Sequence, residues 1–233
     1  METVLKRAAA ALLTAVIILM PVATVCAEPA AEETQAGDEA GATAEQNAEN
    51  SELERQKKAS YDTVPETNTI EGWPQGPKVY ANSAIVMDMN SKAVLYEKKI
   101  DKPHYPASIT KLLTALVTFE NASLDDEIVF SQESIDILRS DYASIGMKPR
   151  EILSLNDAMY AMLLASANEV SYAIAENVGK EMGGGYDTFI QEMNDRSAEL
   201  GCAGSHWTNA NGLPDKNHHT TAQDMALITA ELY

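Results

Sequence analysis

The sequence predicts an α/β (α+β) fold, on three observations. Residues 83–98 hold two β-type runs separated by a short turn. From Ser108 onward apolar residues recur at helical spacing. The stretch before residue 78 is too acidic, and too poor in branched apolar residues, to add to a core. The chain has 233 residues, 45% hydrophobic and 22% charged, enough for one domain with a real core and part of a second.

The N-terminus reads as an export signal. Lys6 and Arg7 form a basic start, Ala8 to Met20 is apolar apart from Thr14, Pro21 breaks the run, and "VCA" (25–27) offers small residues for cleavage. The run is too short for a comfortable membrane span. Residues 1–27 are therefore expected to be a signal peptide and the product to be exported across the cytoplasmic membrane. Cleavage after Ala27 leaves Cys202 as the single cysteine. It cannot form an internal disulfide and reads as a buried small hydrophobe.

Net charge is −18. Residues 28–77 carry twelve acids against three bases and are expected to be a flexible acidic linker, with a transient helix at Ser51–Ala59. "EGWPQGPK" (71–78) marks the entry to the domain proper, 78–233. That body holds 22 acids against twelve bases, which argues against nucleic acid or anionic lipid as the main partner.

The elements follow in order. "SAIVMDM" (83–89) and "AVLYEK" (93–98) form a hairpin around "NSK". A helix runs from about Ser108 to Glu120, with Pro106 just ahead of it. "SQESIDIL" is a short helix; "SLNDAMYAMLLA" (154–165) is capped by Ser154 and Asp157. "NEVSYAIAENVG" (168–179) is expected to end at Gly179, and the next helix, through Phe189 and Met193, at Gly201. The last helix is capped by Thr221 and Asp224 and reaches Tyr233 without a stop signal. No further strand is read after the hairpin. Since an isolated hairpin is marginal in water, the rest of the sheet is expected from sequence beyond Tyr233.

Ser108 and Lys111 lie at i and i+3, one above the other on a helix face. A serine hydroxyl is a weak nucleophile until a base takes its proton. Lysine serves as that base when burial disfavours its charge, and "LLTALV" offers the burial. The helix N-terminus adds N–H groups suited to an oxyanion. "SAN" places Ser166 and Asn168 in a polar break between two apolar helices, free to project or to cap. His206, His218 and His219 lack the spacing of a metal site, and "NANGLPD" (209–215) reads as a turn without a chemical role.

"PASITK" (106–111) and "SAN" (166–168), behind an export signal, resemble the penicillin-binding D-alanyl-D-alanine carboxypeptidases, serine peptidase family S11. "AIVMDMNSKAVLYEKKIDKPHYPASITKLLTALV" and "HWTNANGLPDKNHHTTAQDMALI" are similar to the same family, so the resemblance runs from about Tyr80 to Tyr233. It implies the serine β-lactamase/DD-peptidase (transpeptidase-like) fold, an antiparallel sheet with a helical subdomain. It implies Ser108 as nucleophile, Lys111 as general base, Ser166 as proton relay to the leaving amine, and Asn168 as a substrate-binding residue. The implied substrate is a peptidoglycan stem peptide ending in D-Ala-D-Ala, met on the extracytoplasmic, cell-wall side of a bacterium, with β-lactams as mimics and no cofactor or metal. The family's third motif, K-T-G, is absent. It is expected beyond Tyr233, with any membrane-anchoring segment, so this chain alone is expected to be inactive. The alternatives are a serine β-lactamase, whose second motif usually reads S-D-N, and a non-catalytic penicillin-binding sensor.

Overall fold

The computed structural model describes the backbone from Glu39 and the side chains from Asn47, both to Tyr233. The export signal lies outside the described residues. The chain forms two compact units, one of α1 (Glu39–Asp62) and residues 77–82, the other of residues 65–76 and 83–232.

α1 falls inside the stretch expected to be a flexible linker. Its Ala, Glu, Gln and Lys residues are strong helix formers. Ion pairs Arg55–Glu52, Lys57–Glu54 and Lys58–Asp62 fall at the i,i+3 or i,i+4 spacing that suits a helix. The transient helix expected at Ser51–Ala59 lies within α1; the helix extends further, without an apolar face, on propensity and ion pairs. Within the same unit Tyr61 stacks on Tyr80, with ring centroids 4.6 Å apart.

In the second unit, β1 (Ala84–Met87) pairs antiparallel with β2 (Val94–Lys98), in the register Ala84–Lys98, Ile85–Glu97 and Val86–Tyr96. Asp88 closes the hairpin by accepting from the Ser91 N–H and hydroxyl. Residues 65–76 belong with this hairpin, upstream of the expected entry at 78. Trp73 Nε1 donates to the Leu95 carbonyl, and the Glu97 N–H donates to Thr67 Oγ1.

A second antiparallel pair corrects the reading that no strand follows. β3 (Glu127–Val129) pairs with β4 (Ile152–Ser154). Each strand has only three residues, too few for alternation to show. Ile128 and Phe130 reach the core from this pair.

The core is built around α2 (Lys111–Asn121), which buries Leu113, Ala115, Leu116 and Val117. It packs against α4 (Leu155–Leu164), α5 (Asn168–Glu181), α6 (Tyr186–Glu199) and α7 (Ala222–Leu232). The short α3 (Gln132–Asp136) sits on α5. Ser154 caps α4 through the Asp157 N–H, as the spacing predicts. α5 runs past Gly179 to Glu181, so Gly179 is not its terminator. A Cβ there would lie 2.0 Å from the Gly185 carbonyl oxygen: this glycine serves close approach. α6 ends at Gly201 with φ +84, as expected. Cys202 is a free, buried thiol, pushed up to about 11 by burial.

Candidate active site

The chain enters the site through a tight turn rather than directly through an α-helix. Pro106 precedes a 3-10 turn, Ala107–Thr110, and α2 begins only at Lys111. Ala107 is held at φ +49, a left-handed conformation that costs an ordinary residue on the order of 1 kcal/mol or more. The turn leaves Ser108 exposed while Lys111, one turn on, is 3% exposed.

Two independent contacts hold the strained turn. Thr110 Oγ1 donates to the Ala107 carbonyl at 2.8 Å and pairs with His218 Nε2 at 2.8 Å. The Thr208 N–H, which can only donate, points at His218 Nδ1 at 3.0 Å. The His218 proton therefore sits on Nε2, facing Thr110. Burial depresses His218 to about 4, so it stays neutral around pH 7. On the other side, Gly212 backs onto Ala107: a Cβ at Gly212 would lie 1.8 Å from the Ala107 oxygen.

Lys111 Nζ has three partners, one from each part of the site. It lies 3.1 Å from Ser108 Oγ, 2.9 Å from Asn168 Oδ1 and 2.8 Å from the Asn211 carbonyl. Asn168 is the first residue of α5, and its N–H and Nδ2 both donate to the Ala143 carbonyl, which fixes its amide. The 209–212 turn is pinned by α2: Thr114 Oγ1 donates to the Ala210 carbonyl at 2.7 Å. From the far side, the Ala210 N–H donates to the Tyr186 hydroxyl. Burial is the main reason that Lys111 falls from 10.5 to about 8; Glu169 opposes the fall. At pH 7 about a tenth of such a lysine is neutral amine.

Three of the four residues expected from sequence thus converge: Ser108, Lys111 and Asn168. Ser166 is half-buried in the turn between α4 and α5, at φ +56, and no hydrogen bond ties it to the other three. Asn211 was read only as part of a turn, yet its carbonyl holds Lys111. Its side-chain type carries no signal, because a backbone carbonyl does the work. Glu169 and His218 were likewise missed, since only burial distinguishes them from a first-turn acid and a surface imidazole. Among the described residues, no group of three or more His, Cys, Asp or Glu could hold a metal ion.

A family model described as D-alanyl-D-alanine carboxypeptidase matches residues 70–233. The chain belongs to the D-alanyl-D-alanine carboxypeptidase family, peptidase family S11. It is 29% identical over 157 residues to the D-alanyl-D-alanine carboxypeptidase DacF of Bacillus subtilis, covering 65% of this chain and 39% of that protein. It is 30% identical over 157 residues to DacB2 of Mycobacterium tuberculosis, covering 66% and 50%. Penicillin-binding protein 5 of Haemophilus influenzae superposes with a TM-score of 0.61 at 25% identity, over 67% of this chain and 46% of that one. The carboxypeptidase-family chain thus spans about two-fifths to one half of the relatives it matches. The fold is that of the DD-peptidases, as the resemblance implied.

Proposed function

We propose that this chain carries the acylation centre of a serine-type D-alanyl-D-alanine carboxypeptidase acting on peptidoglycan stem peptides outside the cytoplasmic membrane. The observation that carries the reading is the buried Lys111 Nζ between Ser108 Oγ and two carbonyl oxygens. In the neutral amine, two N–H bonds serve Asn168 Oδ1 and the Asn211 carbonyl. The lone pair is then left facing Ser108 Oγ, which donates its proton to it. The same three oxygens hold the ammonium that forms, so the transferred proton has a prepared site.

The deprotonated Oγ attacks the carbonyl carbon of the penultimate D-alanine. The tetrahedral intermediate collapses with cleavage of the C–N bond, the leaving amine takes a proton, and D-alanine departs. Ser166 is assigned the relay of that proton, and Asn168 the binding of the substrate backbone. Water then releases the shortened peptide. A β-lactam presents a strained amide to the same serine and acylates it. The direct hydrogen-bond partners of Lys111 are uncharged oxygens, so no carboxylate is bonded to the amine whose lone pair faces Ser108.

The test is the intact mass of the folded chain, freed of its first 27 residues, after benzylpenicillin treatment. One adduct per chain that persists, and that Ser108→Ala abolishes, supports the reading. Rapid loss of the adduct with product release points instead to a β-lactamase. An adduct that survives in Ser108→Ala, or no adduct both on this chain and on a chain extended through a downstream K-T-G, refutes the assignment.

A further inference from the structure

Glu169 is the second residue of α5 and is fully buried, next in the chain to Asn168, whose Oδ1 accepts from Lys111 Nζ. Acids in the first turn of a helix normally face water, where they answer the helix dipole. This one is turned inward. Its Oε1 accepts from the Ser144 hydroxyl at 2.7 Å and from the Ile145 N–H at 2.8 Å. Its Oε2 is buried with no hydrogen-bond partner. A buried oxygen of this kind is costly unless a nearby charge compensates it.

The compensating charge is at hand. On the elements that surround Lys111, Ser108, Asn168 and the Asn211 carbonyl are uncharged, and His218 behind Thr110 is neutral near pH 7. Among the described residues, Glu169 is the neighbouring charge that favours the Lys111 ammonium. The segment that holds Glu169 also holds Asn168, since Ala143 accepts from Asn168 while Ser144 and Ile145 donate to Glu169. One short segment therefore fixes both the amide that orients Lys111 and the carboxylate behind it.

We propose that Glu169 is a positioning residue, the buried counter-charge of Lys111, clamped in place by the 144–145 segment. The proposal rests on the acylation reading above but concerns a property measurable without it. Burial alone would drive Lys111 further towards a permanent amine, a weaker base for Ser108. Glu169 holds the balance where proton transfer can run both ways through the acylation cycle. The device is electrostatic, so a neutral isostere of the same shape removes it while the clamp remains.

The experiment is a carbon-13 NMR titration of the lysine Cε resonances, with Lys111 assigned by Lys111→Arg. The wild-type midpoint is expected near 8. In Glu169→Gln, whose amide oxygen can still accept from Ser144 and Ile145, the midpoint is expected to move to lower pH, with the melting temperature reporting that the fold is kept. An unchanged or higher midpoint in the folded variant overturns the proposal. Should Glu169→Gln not fold, the wild type decides alone: the Glu169 Cδ resonance must inflect at the pH where Lys111 titrates, and a flat Glu169 signal through that range overturns it. Failure to acylate Ser108 would remove the functional reading while these titrations still stand or fall by themselves.

Discussion

Gly212→Ala tests whether the 209–212 turn and the nucleophile turn are built against each other. Two costs are expected. Gly212 has φ +82, where an alanine pays about 1–2 kcal/mol. The new Cβ would also meet the Ala107 oxygen at 1.8 Å, the Ala107 carbonyl carbon at 2.3 Å and the Ser108 nitrogen at 3.0 Å. These are backbone atoms of a turn already strained at Ala107, so they cannot swing aside as a flexible side chain would. Overpacking of that kind costs about 1–3 kcal/mol more. The sum, about 2–5 kcal/mol, corresponds to a fall in Tm of roughly 5–15 °C for a domain of this size. Gly183→Ala isolates the first cost, because Gly183 has φ +91 but open space around its Cβ position. It should lose only a few degrees. The assay is thermal unfolding of both variants, paired with the rate of Ser108 acylation by benzylpenicillin. Gly212→Ala should lose acylation well beyond its loss of stability, since the Asn211 carbonyl that holds Lys111 must move with residue 212. Equal melting temperatures for the two variants, or wild-type acylation by Gly212→Ala, would refute the reasoning.

His218 gives a pH prediction with a definite sign. Its native value is about 4 against an ordinary 6.5, so on acidification the unfolded chain takes a proton that the folded chain refuses. Stability should fall as pH drops from about 6.5 to 4, by on the order of 3 kcal/mol. Denaturant titrations of His218→Gln should show a shallower slope over that range, and an equal slope would contradict it. Gly179→Ala should destabilise α5 and α6 together by about 1–3 kcal/mol, because the Gly185 carbonyl lies 2.0 Å from the position its Cβ would take. A chemical denaturation midpoint equal to wild type would show that the two helices tolerate separation.

Much of this fold was legible in the sequence wherever local pattern and tertiary role agree. The hairpin at 84–98, the cap at Ser154 and the stop at Gly201 are local devices, and each is where its residues place it. Ser108 and Lys111 were found because their relation is helical spacing, which survives the first turn being 3-10 rather than α. What was not legible depends on distant partners. β3 and β4 are three residues each and exist through one another, 25 positions apart at Ile128 and Leu153. Gly179 reads as a stop until Gly185 is seen against it. Asn211 contributes through its main chain, and Glu169 through the direction it faces, neither of which a residue type records. α1 contains the helix expected at Ser51–Ala59 but is longer than expected: helix propensity and i,i+4 ion pairs extend it without an apolar face.

The central claim is that Lys111, as the amine, is the base that activates Ser108. The most direct test is the rate of Ser108 acylation by benzylpenicillin, followed by intact mass from pH 6 to 9.5 in wild type and in Lys111→Met. The account predicts a rate that rises with pH through a midpoint of about 8, because only the deprotonated lysine can take the serine proton, and a Lys111→Met rate that is lower by orders of magnitude and has lost that midpoint. A wild-type rate that is flat across this range, or a midpoint near 8 that survives in Lys111→Met, would contradict it.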